Sequence, residues 1–181
     1  MTYPEVKVHL GCGDCYIPGF VHVDVVEREH VDWVHDVRTL PMFSDGEVGL
    51  IYASHVLEYF DWFEVIGVLR EWNRVLKAGG TLRLAVPDFE ALVWLYNKHG
   101  IALVLGAIYG RIEVNGEAIY HRMAYDYPSL ALVLRLAGFK NIRLWDWRET
   151  EHVEIDDCSR AYYPHMDETG VHLSLNVEAT K

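Results

Sequence analysis

Short apolar runs separated by turns dominate the first half of the chain. Each run is long enough for a strand and ends at glycine, proline or polar residues. That alternation is typical of an α/β domain built on a mostly parallel sheet. The pattern predicts five strands, at residues 6–10, 20–25, 31–37, 48–54 and 81–86.

The clearest helical pattern covers residues 61–80. Its apolar side chains recur at helical spacing, and Asp61 with Glu64 resembles a capping box at its start. Gly79 and Gly80 are expected to stop this helix.

Two more segments have helical character. Residues 88–110 predict helix without firm boundaries. Residues 125–139 predict a second well-defined helix, which begins near Pro128 and is closed by Gly138.

The end of the chain returns to strands. Residues 141–147 and 171–180 alternate strongly between apolar and polar positions, which suits an antiparallel hairpin at a sheet edge. The polar residues 148–170 between them predict a long loop, and long ordered loops in compact domains are often functional.

Length and composition predict a single domain over residues 1–181, of which 51% are hydrophobic and 24% charged. The net charge of −11 opposes binding to a nucleic-acid backbone, and no Lys/Arg cluster offsets it. The first ten residues lack a secretory pattern, and the longest apolar run, at 101–109, is far too short to span a membrane. We therefore expect a soluble, cytoplasmic protein.

The stretch "LGCGDC" at 10–15 supports two interpretations. Cys12 and Cys15 form a C-x-x-C pair, which could bind metal or exchange disulfides, whereas Gly11 and Gly13 could open a nucleotide-binding loop. A redox pair would sit at a helix start and a zinc site would need a second ligand pair, for which only residues 158–165 offer a loose candidate. The nucleotide loop is favoured, with no metal.

The residues after this loop indicate what it binds. Asp24 closes the second strand, where an acid can take ribose hydroxyls, and Asp36 follows the third strand, where adenine could be met. Only eleven positions separate Gly13 from Asp24, where a dinucleotide-binding unit needs about 20. There is no room for the full helix that a pyrophosphate prefers, whereas S-adenosylmethionine has no phosphate and needs only a tight loop.

Seven stretches of the chain are informative together: "LGCG" (10–13), "VDV" (23–25), "HDVRTLP" (35–41), "IYASHVLEYF" (51–60), "EWNRVLKAGGTLRLAVPDFE" (71–90), "LAGF" (136–139) and "SLNVEATK" (174–181). They resemble a known family, the small S-adenosylmethionine-dependent methyltransferases of the class I, Rossmann-like superfamily. The resemblance implies an α/β fold with a seven-stranded, mostly parallel sheet, shortened after strand one, whose last strand runs antiparallel between its neighbours. It also implies S-adenosylmethionine as the cofactor.

The resemblance assigns roles to matching positions. It implies that Gly11, Cys12 and Gly13 form the cofactor loop. It implies that Asp24 binds the ribose and that Asp36 lies near adenine. Ser54 and His55 match the end of strand four, which faces the methionine part of the cofactor and the acceptor. The compressed segment between Gly13 and Asp24 departs from the superfamily pattern and implies a more open nucleotide site.

Three residues are candidates for catalysis if the acceptor is a hydroxyl, because an alcohol needs a base to take its proton. His121 is the preferred general base, by analogy with a similar histidine in family members. His55 and Asp88 lie at the carboxyl ends of strands four and five, although Asp88 also suits an N-cap for the next helix. His152, His165 and His172, with Asp156 and Asp157, could gather a metal, but scattered histidines produce such groups by chance.

The acceptor follows only from analogy. Genes for similar proteins often lie among surface-polysaccharide genes, which favours a sugar hydroxyl or another small molecule. Two other classes stay open. A nicotinamide-dependent oxidoreductase is disfavoured by the short loop spacing, and a cofactor-binding subunit without catalysis would carry the same loop.

Overall fold

The computed structural model describes residues 5–165 and 167–181. Its helices are α1 (Val65–Val75), α2 (Phe89–His99), α3 (Leu105–Tyr109) and α4 (Tyr127–Leu136), with short 3₁₀ helices at Leu57–Tyr59, Ile101–Leu103, Trp147–Glu149 and Cys158–Arg160. Its strands are β1 (Val6–Leu10), β2 (Val21–Asp24), β3 (Trp33–Val34), β4 (Val48–Ser54), β5 (Leu76–Pro87), β6 (Ile112–Val114), β7 (Glu117–Ile119), β8 (Lys140–Leu144), β9 (Tyr162–Tyr163), β10 (Val171–His172) and β11 (Ser174–Thr180).

Seven of these strands form the central sheet, in the order β3-β2-β1-β4-β5-β11-β8. The first five pair in parallel, whereas β11 runs antiparallel to both β5 and β8. This arrangement confirms the predicted seven-stranded sheet, with its last strand antiparallel between two neighbours. Residues 11–20 form turns without a helix, so the predicted shortening after the first strand is also confirmed.

The ends of the sheet differ from the prediction. The predicted third strand, 31–37, shrinks to Trp33–Val34, because this edge strand pairs only with β2 and both its side chains are exposed. The predicted strand 141–147 ends at Leu144. The predicted strand 171–180 breaks at Leu173, whose backbone leaves the ladder to bond with Ala161 and Asp88.

The predicted helix 61–80 also needs a correction. Asp61 and Glu64 do bond reciprocally, but α1 ends at Val75 rather than at Gly79. Leu76 adopts an extended backbone and pairs with Val48 of β4. Leu76 fits the apolar spacing of the helix, yet it is buried in the sheet, so periodicity alone assigned it to the wrong element.

The two faces of the sheet are unlike each other. Helices α1 and α4 cover one face with an apolar core that includes Leu69, Trp72 and Leu134. On the opposite face Ile17, Phe20, Leu50 and Tyr52 form a small cluster, covered in part by Trp145 and Ile155. Loop residues therefore cover this face of the sheet, whereas α1 and α4 cover the other face.

The loop over the second face is tied down by polar contacts. Tyr52 donates a hydrogen bond of 2.5 Å to Asp157, and Glu151 forms ion pairs with Lys7 and Arg83 at 3.1 and 3.0 Å. Residues 151–157 of the predicted long loop thus lie against this face of the sheet.

Candidate cofactor and acceptor site

Two glycines shape the turn that follows β1. Gly11 and Gly13 have φ values of +60° and +54°, a region that favours glycine. A Cβ atom on Gly11 would lie 2.4 Å from Cγ2 of Val56, whereas one on Gly13 would meet open space. The turn therefore lies close against the segment after β4 at Gly11 and is open at Gly13.

Asp24 fastens this turn to the end of β2. Its Oδ2 accepts a hydrogen bond from the Gly13 amide at 2.8 Å, and its Oδ1 accepts one from the Val26 amide at 2.8 Å. Arg28 adds a longer contact of 3.3 Å. The structure therefore brings two predicted residues, Gly13 and Asp24, into direct contact.

Two histidines that sequence reasoning missed also hold the turn. His22 Nε2 accepts a hydrogen bond from the Ile17 amide at 3.0 Å, and His30 Nε2 lies 3.0 Å from the Gly13 carbonyl oxygen. Tyr16 stacks on the His22 ring. Nothing in the local sequence around these histidines marks them as partners of the glycine turn.

The cysteines do not have the properties of a redox pair. Burial raises the pKa of the Cys12 thiol to about 12 and also raises that of Cys15, whereas a reactive thiol needs a lowered pKa. All three cysteines are free. Within residues 5–165 and 167–181, no three His, Cys, Asp or Glu side chains gather in a way that could hold a metal ion.

Asp36 and Ser54 lie at the same edge of the sheet. Asp36 is half-exposed and accepts hydrogen bonds from the Arg38 amide and guanidinium at 2.9 and 2.7 Å. The residue before it, His35, bonds to the Asp24 carbonyl. Ser54 ends β4, and its Oγ is buried without a hydrogen-bond partner among the described residues.

Asp88 is the N-cap of α2. Its Oδ1 accepts hydrogen bonds from the Glu90 and Ala91 amides at 3.0 and 3.4 Å, which confirms the predicted capping role. These bonds occupy one of its carboxylate oxygens.

His55 follows β4 in a conformation that is unusual for a non-glycine residue. Its φ is +55°, and its amide bonds to the Ala85 carbonyl at 2.8 Å, which fixes the backbone at the sheet edge. Its Nε2 lies 3.3 Å from Ser174 Oγ. A side chain kept despite such backbone strain is typical of functional sites.

The structure brings His121 to His55 through a third residue, Glu58. Glu58 Oε1 lies 3.4 Å from His55 Nδ1 and 3.7 Å from His121 Nε2. His121 Nδ1 lies 3.0 Å from the Ala107 carbonyl oxygen. We name His55, Glu58 and His121 the acceptor-side cluster. Sequence reasoning missed Glu58, although its spacing of three from His55 suits one helical turn.

Burial controls the protonation of the acceptor-side cluster. It lowers the pKa of His55 to about 3, with a smaller contribution from His121, and it lowers the pKa of His121. Glu58 has no exposed surface, and burial raises its pKa to about 8. At neutral pH the cluster therefore holds two neutral imidazoles and a protonated carboxyl group.

A cavity of about 470 Å³ lies away from these residues. It opens on the loop-covered face of the sheet, between β5, β8 and β11, and its lining includes Arg83, Trp145, Arg148, Asn176 and Glu178. Among the candidate residues named from the sequence, only His172 lines it.

The strand order and the antiparallel β11 define the class I methyltransferase fold, a Rossmann-like arrangement. The glycine turn and Asp24 lie at the carboxyl edge of its parallel strands, where open α/β sheets bind ligands.

Comparison with known proteins agrees with this fold assignment. Residues 20–84 match the family model of a methyltransferase domain. No curated protein sequence matches the chain. Among crystal structures, an S-adenosylmethionine-dependent methyltransferase from Methanosarcina mazei is similar with a TM-score of 0.60 and 16% identity over 100% of this chain and 94% of that one.

Two more S-adenosylmethionine-dependent methyltransferases have similar structures. The protein from Archaeoglobus fulgidus has a TM-score of 0.59 and 14% identity over 98% of this chain and 86% of that one. The protein from Mesorhizobium loti has a TM-score of 0.56 and 16% identity over 99% and 94%. The family model matches one part of the chain, residues 20–84, and the similar structures show that the chain has the class I methyltransferase fold. No helix in the described part of the chain is long and apolar enough to cross a membrane.

Proposed function

We propose that the chain, as one domain over residues 1–181, transfers a methyl group to a hydroxyl of a small neutral molecule. The observation that supports this proposal is the acceptor-side cluster, in which Glu58 Oε1 lies 3.4 Å from His55 Nδ1 and 3.7 Å from His121 Nε2, just after β4. A sugar hydroxyl is the preferred acceptor because of the family resemblance. The net charge of −11 argues against a nucleic-acid acceptor.

The residues present fit the cofactor. The buried Ser54 Oγ, which has no partner among the described residues, offers a hydrogen bond to a bound group, and the open side of Gly13 leaves room beside the turn. Asp24 has a carboxylate with lone pairs beyond those its two amide donors use, so it can also accept from ribose hydroxyls. Gly11, Cys12, Gly13 and Asp36 would complete the binding site. Bound S-adenosylmethionine supplies an electrophilic methyl group for an in-line displacement.

The chain's contribution at the acceptor is to hold it in line and to remove its proton. An amine or thiolate acceptor needs little help, whereas an alcohol needs a base within hydrogen-bond reach. His55 and His121 keep a lone pair at neutral pH because burial lowers their pKa values, and the same shift makes each a weaker base than a free imidazole. The cluster therefore suits a hydroxyl better than a cationic acceptor.

The test is a transfer assay with methyl-labelled S-adenosylmethionine and three probes, a methyl glycoside, a primary amine and a thiol. We expect label on the glycoside and a large loss of transfer in His55→Asn, but not in the control His99→Gln, which changes an exposed histidine. Label on the amine or thiol alone would contradict the hydroxyl proposal. Cofactor binding without transfer to any probe would support a binding subunit instead.

A further inference from the structure

Glu58 is the most unusual buried group in the chain. Its carboxyl group has no exposed surface, and neither oxygen has a hydrogen-bond partner within the described residues. An unpaired carboxylate in such a place is strongly disfavoured, because burial penalises the charged form. It lies between two histidines, His55 and His121, just after β4.

The side chains around Glu58 supply no compensating positive charge. Those that face it besides the two histidines are Tyr59 and Tyr125, whose pKa values burial raises, and Cys158, whose pKa burial raises to about 11. The backbone amide of Arg122 donates a hydrogen bond to the backbone carbonyl oxygen of Glu58. The guanidinium of Arg122, however, pairs with Glu64 at 3.1 Å. A carboxylate here would be buried among neutral groups.

Hydrogen-bond accounting locates the proton. His121 Nδ1 donates to the Ala107 carbonyl oxygen, so the lone pair of the neutral ring is on Nε2, which faces Glu58 Oε1. Ser174 donates to Asn176 Oδ1 at 2.9 Å and therefore accepts from His55 Nε2, which leaves the His55 lone pair on Nδ1. Two lone pairs thus face one carboxyl oxygen, and a proton on that oxygen can point to only one of them, which leaves the other nitrogen free to accept a proton.

We propose that Glu58 is a positioning residue of the acceptor site, which holds one proton between His55 and His121 and leaves Nδ1 of His55 unprotonated, so that it can take the acceptor's proton. This inference rests on the proposed methyl transfer to a hydroxyl. Glu58 itself does not touch the acceptor, because its side chain is fully buried, whereas the His55 side chain is 19% exposed.

The proton balance is closed. The acceptor oxygen loses its proton to His55 Nδ1 as it bonds to the methyl carbon, and the electron pair of the broken carbon–sulfur bond stays on sulfur. Glu58 then gives its own proton to His121 Nε2, so that its carboxylate lies between two imidazolium ions, those of His55 and His121. One proton enters the cluster and none leaves until the product departs.

The test follows the imidazole nitrogens of His55 and His121 by NMR between pH 6 and pH 9, in the full chain with and without S-adenosylhomocysteine. In the wild type we expect both rings to shift together in a step with its midpoint near pH 8, where Glu58 ionises. Glu58→Gln should abolish the step, while the control Glu90→Gln, at an exposed glutamate, should retain it.

A flat wild-type titration, or a step that persists in Glu58→Gln, would overturn the inference. If Glu58→Gln does not fold, infrared detection of a protonated buried carboxyl group in the wild type, lost above pH 8, decides instead, and its absence overturns the inference equally.

Kinetics distinguish positioning from simple packing. With the methyl glycoside, Glu58→Gln should lower kcat by about 100-fold, at the low end of what general-base catalysis contributes, and leave KM and the Kd for S-adenosylhomocysteine unchanged. An unchanged kcat would contradict the inference. Failure of the wild type to bind S-adenosylhomocysteine would instead contradict the proposed function, because the titration step does not depend on the cofactor.

Discussion

His9 makes the folded protein sensitive to acid. It lies on β1 under the loop-covered face, with its ring 5.6 Å from that of His22 and 5.2 Å from that of Tyr52. Burial lowers its pKa from 6.5 to about 3, with smaller contributions from His22, His152 and His30. Its Nδ1 is buried without a partner in the described residues, so a second ring proton would find no acceptor.

The sign follows from proton linkage. Above pH 6.5, a histidine whose pKa is lowered in the folded state leaves the free energy of unfolding unchanged, because it is neutral in both states. As the pH falls from 6.5 towards 3, only the unfolded chain binds the proton, so the free energy of unfolding decreases. At pH 5.0, about 1.5 pH units below the unfolded pKa, His9 alone removes about 2 kcal/mol from the free energy of unfolding.

The assay is urea unfolding at pH 7.5 and pH 5.0 for the wild type and His9→Gln. The other buried histidines, and Glu58 with its opposite dependence, act alike in both proteins and cancel in the comparison. We expect the variant to lose about 2 kcal/mol less stability than the wild type between the two pH values. The control His165→Gln, at an exposed histidine, should behave like the wild type. Equal losses in the wild type and His9→Gln would refute the argument, since His9 would then be protonated in the folded state.

Three further changes test the fold and the turn. Gly11→Ala forces a Cβ to within 2.4 Å of Val56 and should destabilise the chain by more than Gly13→Ala, which has the same backbone strain but open space, as urea unfolding can show. Asp126→Ala removes the capping box of α4 and should cost about 1 kcal/mol of unfolding free energy in the same assay, with S-adenosylhomocysteine binding intact by calorimetry. Trp72→Phe leaves the buried Val37 carbonyl without its 2.7 Å hydrogen bond and should cost about 1–3 kcal/mol; a cost below that range would mean that another donor replaces the indole.

The parts of the fold that depend on local pattern could be predicted from the sequence. The four longer parallel strands and the helices α1, α2 and α4 were all expected, as was the missing helix after β1. The errors lie where tertiary contacts override local pattern. Leu76 fits a helical stripe but pairs with Val48, and Leu173 interrupts a run of alternating residues to bond with Ala161.

In the candidate site too, contacts between residues close in sequence could be predicted, whereas those set by the tertiary fold could not. Gly13 and Asp24 stand close in sequence, so their order could predict the contact that the structure shows. The roles of His22 and His30 depend on the path of residues 11–20, which no periodicity specifies. Glu58 resembles any acidic residue on a helical turn until the fold brings His121 against it from a distant segment.

The measurement that tests the central claim most directly is the melting temperature with S-adenosylhomocysteine, with NADH and without ligand. The proteins compared are the wild type, Asp24→Ala and the control Asp14→Ala. The Asp14 side chain lies in the glycine turn and is 95% exposed. At 100 times its Kd, a ligand bound only by the folded state adds about 2.7 kcal/mol to stability. We expect S-adenosylhomocysteine, and not NADH, to raise the melting temperature of the wild type and Asp14→Ala but not of Asp24→Ala. A shift with NADH alone, or no shift with either ligand, would contradict the assignment of this sheet edge as an S-adenosylmethionine site.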